Sequence, residues 1–282
     1  MWARHSHAYV IQYPTWPVEW VQISVLLAYM DYWTTGSPDL VASFLSNGTQ
    51  AMGETPSPQA KSLHDNTRLA DADSTGLLNC SAQTANGCST RPGAGHHIID
   101  WDPPPSGNMF KFSSHLSVNN AFCLRGLLDL AEIAALLNKT AEATQYKTEA
   151  TVLQKAMTDQ MWNASAGMFC DGSCDTQPHM GVTTNTFTLF NDLIPTADVQ
   201  KAWEQAAAYG LEGTGDYGAF IYLAALNKYA GDDGSATLHA LTKCDRDSWC
   251  AEMETFNATM TRETWAGGTY SHVSTHAIYR CF

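Results

Sequence analysis

The chain has 282 residues, 44% of them hydrophobic and 11% aromatic, enough to bury a substantial core in one large domain or two ordinary ones. Only 15% are charged, below the usual quarter, and the net charge is −13, so nucleic acid and anionic membrane surfaces should repel it. No stretch reaches the length of a membrane span, and a neutral polar ligand such as a sugar fits this balance better than a charged one.

Helical periodicity dominates along the chain. "WPVEWVQISVLLAYMDYWTTG" predicts a helix with Trp20, Ile23, Leu27 and the Met30/Asp31 turn on one broad face, ended by Gly36 and Pro38. "SPDLVASFLS" predicts the next, with Ser37 at its N-cap and Pro38 just inside. Residues 53–95, rich in Gly, Ser, Asn, Thr and Pro, read as a long irregular loop with little structure of its own. "HHIIDWDPPPSG" is a short apolar run stopped by three prolines. "SSHLSVNNAFCLRGLLDLAEIAALLNK" and "TAEATQYKTEATVLQKAMTDQMW" then predict an antiparallel helical hairpin with a tight link at Asn138–Thr140. After a turn at "MFCDGSCD", the runs "VTTNTFTLFNDL", "TADVQKAWEQAAAYG", "GDYGAFIYLAALNKYAG" and "SATLHALTKC" continue the helical series. No strand pairing beyond a few residues is expected, and no linker divides the chain. The reading is a single all-α domain over 1–282, built of stacked helical hairpins whose long loops would carry function.

Nine Trp and eleven Tyr suit the apolar faces of sugar rings, although most read equally well as core. Eight cysteines and sequons at Asn47, Asn79, Asn138, Asn163 and Asn257 point to a eukaryotic secretory route. Cys80/Cys88, Cys170/Cys174 and Cys244/Cys250 are spaced for short local disulfides, leaving Cys123 and Cys281. Zinc is the rival reading, but no paired CxxC or HxxxH spacing occurs, and no cofactor is expected. The opening "MWARHSHAYVIQYPTW" has no apolar leader. With secretory features elsewhere, it raises the expectation that Met1 is not the original start.

The order of several blocks resembles the catalytic domain of α-L-rhamnosidases. "HHIIDWDPPP" followed by "VNNAFCLRGLLDLAEIAALLNK" is similar to that family's I-V-D-W-P-P, V-N-A-F and following long helix. "MFCDGSCDTQPHMGVTTNTFTLFNDLIP" resembles its Y-x-D-G stretch and the helix ending G-L-V-P. "SWCAEMETFNATMTRETW" resembles S-W-x-x-M, G-A-T-T and W-E-x-W, and "YSHVSTHA" resembles W-S-H-x-W-x-A. The blocks run in order from about residue 14 to residue 279. The resemblance implies an (α/α)6 toroid of helical hairpins, a six-hairpin glycosidase, releasing terminal L-rhamnose with inversion and without metal or organic cofactor. Trehalase or glucoamylase relatives share the toroid, but their signatures do not match these blocks.

On this resemblance Glu263, in "TRETWAGG", matches the general base that activates water opposite the leaving group; from its position alone it could equally cap a helix or pair with Arg262. Asp100 and Trp101 match the family's D-W, the Asp bonding sugar hydroxyls and the Trp stacking on the ring, against a helix-terminal acid and a core Trp. His272 matches a sugar-binding histidine near the base, and Trp265 flanks Glu263. Trp16 and Glu19 fall near a G-W-x-D approach to the second hairpin, and Tyr217 in "GDYG" could face the cavity or pack in the core. The family's acid motif, R-D-E-R-x-G-W-x-G-D, has only a faint echo in "CDRDSW". The toroid is therefore expected to be incomplete, lacking its first hairpin and the end of its last helix. Exposed hairpin faces would then favour self-association, and a catalytically inactive sugar-binding remnant is the alternative function.

Overall fold

The computed structural model describes residues 18–47, 64, 67, 69–79, 111, 113–210, 215–231, 233–244 and 249–256. Their regular structure is helical apart from one minimal hairpin, as the periodicity predicts. They fall in two compact units, the first formed by segments within 1–99, 112–162 and 171–178, the second by segments within 100–111, 163–170 and 179–282.

In the first unit, α1 (Val18–Thr35) and α2 (Asp39–Asn47) form one pair, and α3 (Ser117–Leu136) and α4 (Thr140–Met161) form another. Gly36 stops α1: at φ +70° its N–H reaches back to the Tyr32 carbonyl at 2.8 Å, a conformation a side chain would strain. Ser37 Oγ accepts the Asp39 N–H at 3.2 Å, so the predicted cap is in place. α3 ends in a Schellman motif. The Lys139 N–H bonds the Ala134 carbonyl and the Asn138 N–H the Ala135 carbonyl, with Asn138 left-handed at φ +57°. That turn reverses the chain into α4, the tight link the sequence predicts.

The core of this unit joins Val25, Ala28 and Tyr29 of α1, Val41 and Leu45 of α2, Leu130, Ile133 and Ala134 of α3, and Ala143 and Tyr146 of α4. Each large side chain sealed here contributes about 1.5–3 kcal/mol relative to exposure. The expected face of α1 is corrected. Val25, Leu26, Ala28 and Tyr29 are buried, whereas Ile23 and Leu27 are only partly so and Met30 is 49% exposed. The inward stripe includes Gln22, a polar residue that is 1% exposed and whose Nε2 donates to the carbonyls of Thr67 and Asn119 at 3.0 and 2.9 Å.

A second correction concerns the long loop. Its described part is ordered: a 3₁₀ turn at Leu69–Asp71 leads into a tight reversal in which Ala72 and Leu78 form an antiparallel bridge. Leu77 and Leu78 are buried. Two leucines sealed from water hold a segment whose composition suggests no structure.

In the second unit, the turn 163–167 leads into β2 (Met168–Phe169), the second strand of a two-stranded hairpin begun by β1 (Trp162–Asn163). α5 (Val182–Phe190), α6 (Val199–Tyr209), α7 (Gly215–Tyr229), α8 (Ser235–Thr242) and α9 (Trp249–Phe256) follow. α5 is the central helix, packed on β2, α6 and α7, and its Val182, Phe187 and Leu189 are buried with Trp203 of α6 and Ile221 of α7. The Trp203 and Tyr222 rings lie 5.8 Å apart. Asn185 acts as a strand partner inside the helix: its Oδ1 accepts the Phe169 N–H at 2.8 Å and its Nδ2 donates to the Phe169 carbonyl at 3.0 Å.

Candidate functional site

Of the residues the sequence assigns to the site, Trp16, Asp100, Trp101, Glu263, Trp265 and His272 lie outside the described residues. Glu19 and Tyr217 sit on α1 and near the start of α7, with side chains outside the description. The sequence around Asp100 and Trp101 is nevertheless flanked by two well-described segments, 71–79 and 113–117, and these meet.

They meet at a polar cluster beside the N-terminus of α3. Asp73 Oδ1 accepts the Thr75 N–H at 2.8 Å and the Thr75 hydroxyl at 2.6 Å, the turn chemistry expected of an Asp two residues before a Thr. Its Oδ2 accepts Asn79 Nδ2 at 2.7 Å and lies 2.9 Å from His115 Nε2. Burial alone would raise the Asp73 pKa, but the bonds from Thr75, His115 and Asn79 outweigh it and hold the carboxyl well below the usual carboxylate range. Asp73 is therefore an anion at neutral pH, unsuited to donating a proton.

Asn120, fully buried one turn into α3, clamps the same junction. Its Oδ1 accepts the Leu78 N–H at 2.9 Å and its Nδ2 donates to the Leu116 carbonyl at 2.8 Å. The "DG" of "MFCDGSCD" closes on it as well: Asp171 is buried and its carbonyl accepts the Ser117 N–H at 2.9 Å. Gly172 is required there, because a Cβ would stand 2.1 Å from Ser113 Oγ and 2.7 Å from the His115 carbonyl. The sequence reading missed Asp73, His115, Asn120 and Asp171. The "DSTG" turn signature and the buried Asn pair of "VNNAF" are the signals that could have found the first and third.

The other perturbed carboxylate is Asp129, on α3 and 2% exposed. Burial pushes its carboxyl up to about 7 against the pull of Arg125 and with a small push from Glu132. That value suits a general acid, but a group sealed from solvent cannot reach a glycosidic oxygen. Among the described residues no group of three or more His, Cys, Asp or Glu could hold a metal ion, and no helix is long and apolar enough to cross a membrane.

The cysteine pattern is realised where it is described. Cys244 and Cys250 are bonded with their Cα atoms 4.8 Å apart, fixing the entry to α9. Cys170 and Cys174 are likewise disulfide-bonded, and Cys123 is a buried thiol. Cys80, Cys88 and Cys281 lie outside the described residues.

The sequence model of the bacterial α-L-rhamnosidase six-hairpin glycosidase domain matches residues 75–279, well over half of the chain. The chain belongs to that family. Its fold agrees with solved members of the rhamnosidase group. The GH78 rhamnosidase of Bacillus sp. GL1 superimposes with TM-score 0.58 at 16% identity, over 93% of this chain and 25% of its own. The α-L-rhamnosidase of Aspergillus terreus gives 0.52 at 19% identity, over 82% and 25%. A rhamnose-bound rhamnosidase from Klebsiella oxytoca gives 0.52 at 12% identity, over 79% and 37%. The rhamnosidase-family chain thus spans between a quarter and two-fifths of these structures. No curated protein matches it in sequence. Its all-α hairpins are those of the six-hairpin glycosidases, as the sequence implies.

Proposed function

We propose that this chain takes part in hydrolysing terminal α-L-rhamnosides with inversion, with Glu263 as general base. The observation that carries the reading is the family match over 75–279, which encloses Asp100, Trp101, Tyr217, Glu263, Trp265 and His272. An inverting glycosidase needs an ionised carboxylate about 6.5–9.5 Å from a protonated acid, with a water between them. In this proposal Glu263 takes the proton from that water. Asp100 and His272 bond the sugar hydroxyls, Trp101 and Trp265 cover its apolar face, and Trp16, Glu19 and Tyr217 line the approach.

A second reading is favoured by a specific observation: the family's acid motif has no counterpart in these 282 residues beyond the echo at "CDRDSW". Acid assistance is worth about 10²–10⁴-fold, so this sequence by itself would bind rhamnose and turn over only substrates whose leaving group departs without a proton. The two readings separate with aryl α-L-rhamnosides of graded leaving-group acidity, the product anomer being followed by NMR. Turnover with inversion that falls about 10²-fold or more in Glu263→Gln supports the base. Turnover unchanged in that variant refutes it, and rhamnose binding with no product on any substrate leaves the binding reading.

A further inference from the structure

The C-terminal turns of α1 and α3 lie side by side, and a cavity of about 530 Å³ opens between them. Tyr32, Trp33 and Gly36 line it from α1, and Glu132, Ala135 and Leu136 from α3. Its size falls in the range of about 300–1,000 Å³ usual for small-ligand sites. Trp33 is 69% exposed, and Leu136 is also exposed. Gly36 keeps one wall low, since a Cβ there would meet nothing within 4 Å.

The charge around this cavity is one-sided. A helix C-terminus carries a partial negative charge that a Lys, Arg or His in the last turn commonly offsets. Neither α1 nor α3 has such a residue there. Among the described residues, Glu132 is the one charged side chain that lines the cavity. The Tyr29 hydroxyl donates to its Oε2, and its Oε1 has no partner among the described residues. Arg125, two turns back on α3, is engaged elsewhere, its Nε 2.8 Å from Asp129 Oδ1 and its guanidinium 5.8 Å from the Tyr29 ring centroid. An anion is therefore disfavoured and a cation is not.

The rings supply a second attraction. Trp33 stands edge to face with both Tyr29 and Tyr32, the centroids 6.2 and 6.5 Å away and the planes at 71° and 74°. Rings set nearly at right angles form a corner, and their faces attract a cation through the ring quadrupole. A neutral sugar would also stack on Trp33, but it needs several hydrogen-bonding partners, and the lining side chains offer only Glu132 and the Tyr32 hydroxyl. We propose that this cavity binds a small organic cation, a quaternary or alkylated ammonium group, on the faces of Trp33 and Tyr32 with Glu132 as its counter-ion. The site is independent of the rhamnoside chemistry proposed above and uses none of its residues.

The test titrates the full chain with choline and with its neutral isostere, in which a carbon replaces the quaternary nitrogen, following the indole signals by NMR. Choline should bind, and the isostere should bind about 10-fold more weakly or less well still. Trp33→Ala and Glu132→Gln should each weaken choline by about 3- to 30-fold. Glu132→Gln keeps an acceptor for the Tyr29 hydroxyl, and Trp33→Ala changes a side chain that stands largely in water, so the second variant serves if the first folds poorly. Equal affinity for the isostere, no binding at millimolar choline, or unchanged affinity in Trp33→Ala overturns the proposal. Methyl α-L-rhamnoside shifting the Trp33 indole signal where choline does not also overturns it, and gives the cavity to a sugar.

Discussion

Asp73 and Asp129 are two carboxylates of the same compact unit, the first 27% exposed and the second 2%, and their ionisation is displaced in opposite directions. Asp73 has four donors on its two oxygens, none further than 2.9 Å. Asp129 has a full positive charge beside it, Arg125 Nε at 2.8 Å from Oδ1, yet its Oδ2 has no hydrogen-bond partner among the described residues. At Asp129 burial outweighs the neighbouring counter-ion, whereas a part-exposed carboxylate with four donors stays charged.

Breaking the poorer site by removing its counter-ion should have the largest effect. Arg125→Ala leaves Asp129 buried without its charge partner and removes a guanidinium 5.8 Å from the Tyr29 ring centroid, an expected loss of about 3 kcal/mol in urea unfolding. A loss within experimental error would mean that Asp129 is neutral in the wild type and gains nothing from the pair. Asp73→Ala should follow at about 2 kcal/mol, because Asn79, His115 and the Thr75 N–H lose a common acceptor. Unchanged stability there would show the cluster to be solvated and replaceable.

The pH dependence sharpens the same contrast. The folded Asp129 pKa is raised to about 7, so between about 4 and 7 the native state binds the extra proton, and stability falls as pH rises through that window. Asp129→Asn should flatten this slope and equal or exceed the wild type at pH 8. Asp73 is depressed, so its contribution is present above the ordinary carboxylate pKa of about 4 and is lost as pH falls below it. Asp73→Asn should remove that acid-side loss. Unfolding midpoints across pH 2–9 that show both slopes in the same direction would refute the opposed assignments. The smallest effect is expected on α5, where the Thr186 hydroxyl is buried without a partner among the described residues. Thr186→Val should be neutral or stabilising by up to about 1 kcal/mol, and a clear loss would reveal a hydrogen bond to that hydroxyl.

Much of the fold is legible in the sequence because helices with caps announce themselves: Ser37, Gly36 and the Asn138 turn stand where the residue types require. The face of α1 is harder to read, since its inward stripe includes Gln22, and a polar side chain enters a core only when distant carbonyls receive it. The order in 69–79 is hidden for a similar reason. Its composition is that of a loop, and its partners are far along the chain: the Leu78 N–H bonds Asn120 of α3 and the Thr75 carbonyl accepts from Gln160 of α4. Of the candidate site, Glu263, Asp100, Trp101 and His272 come from motif resemblance, and nothing in local periodicity would select them. Asp73 and His115 are 42 residues apart, so only the folded chain brings them together.

The short Schellman link between α3 and α4 bears on how the chain reaches its fold. Twenty residues, a turn and twenty-two residues make a hairpin whose mates are close in sequence, so little loop-closure entropy opposes their first encounter. This hairpin is then the natural nucleus, and the loop 71–79 and the Asp171–Gly172 corner must dock on a surface that already exists. During synthesis it can close before the last hundred residues have left the ribosome. Conservative truncations at the α3–α4 seam, such as Leu130→Ala and Leu153→Ala, should slow refolding, while Leu78→Ala should mainly hasten unfolding. The reverse pattern in stopped-flow kinetics would place the nucleus elsewhere.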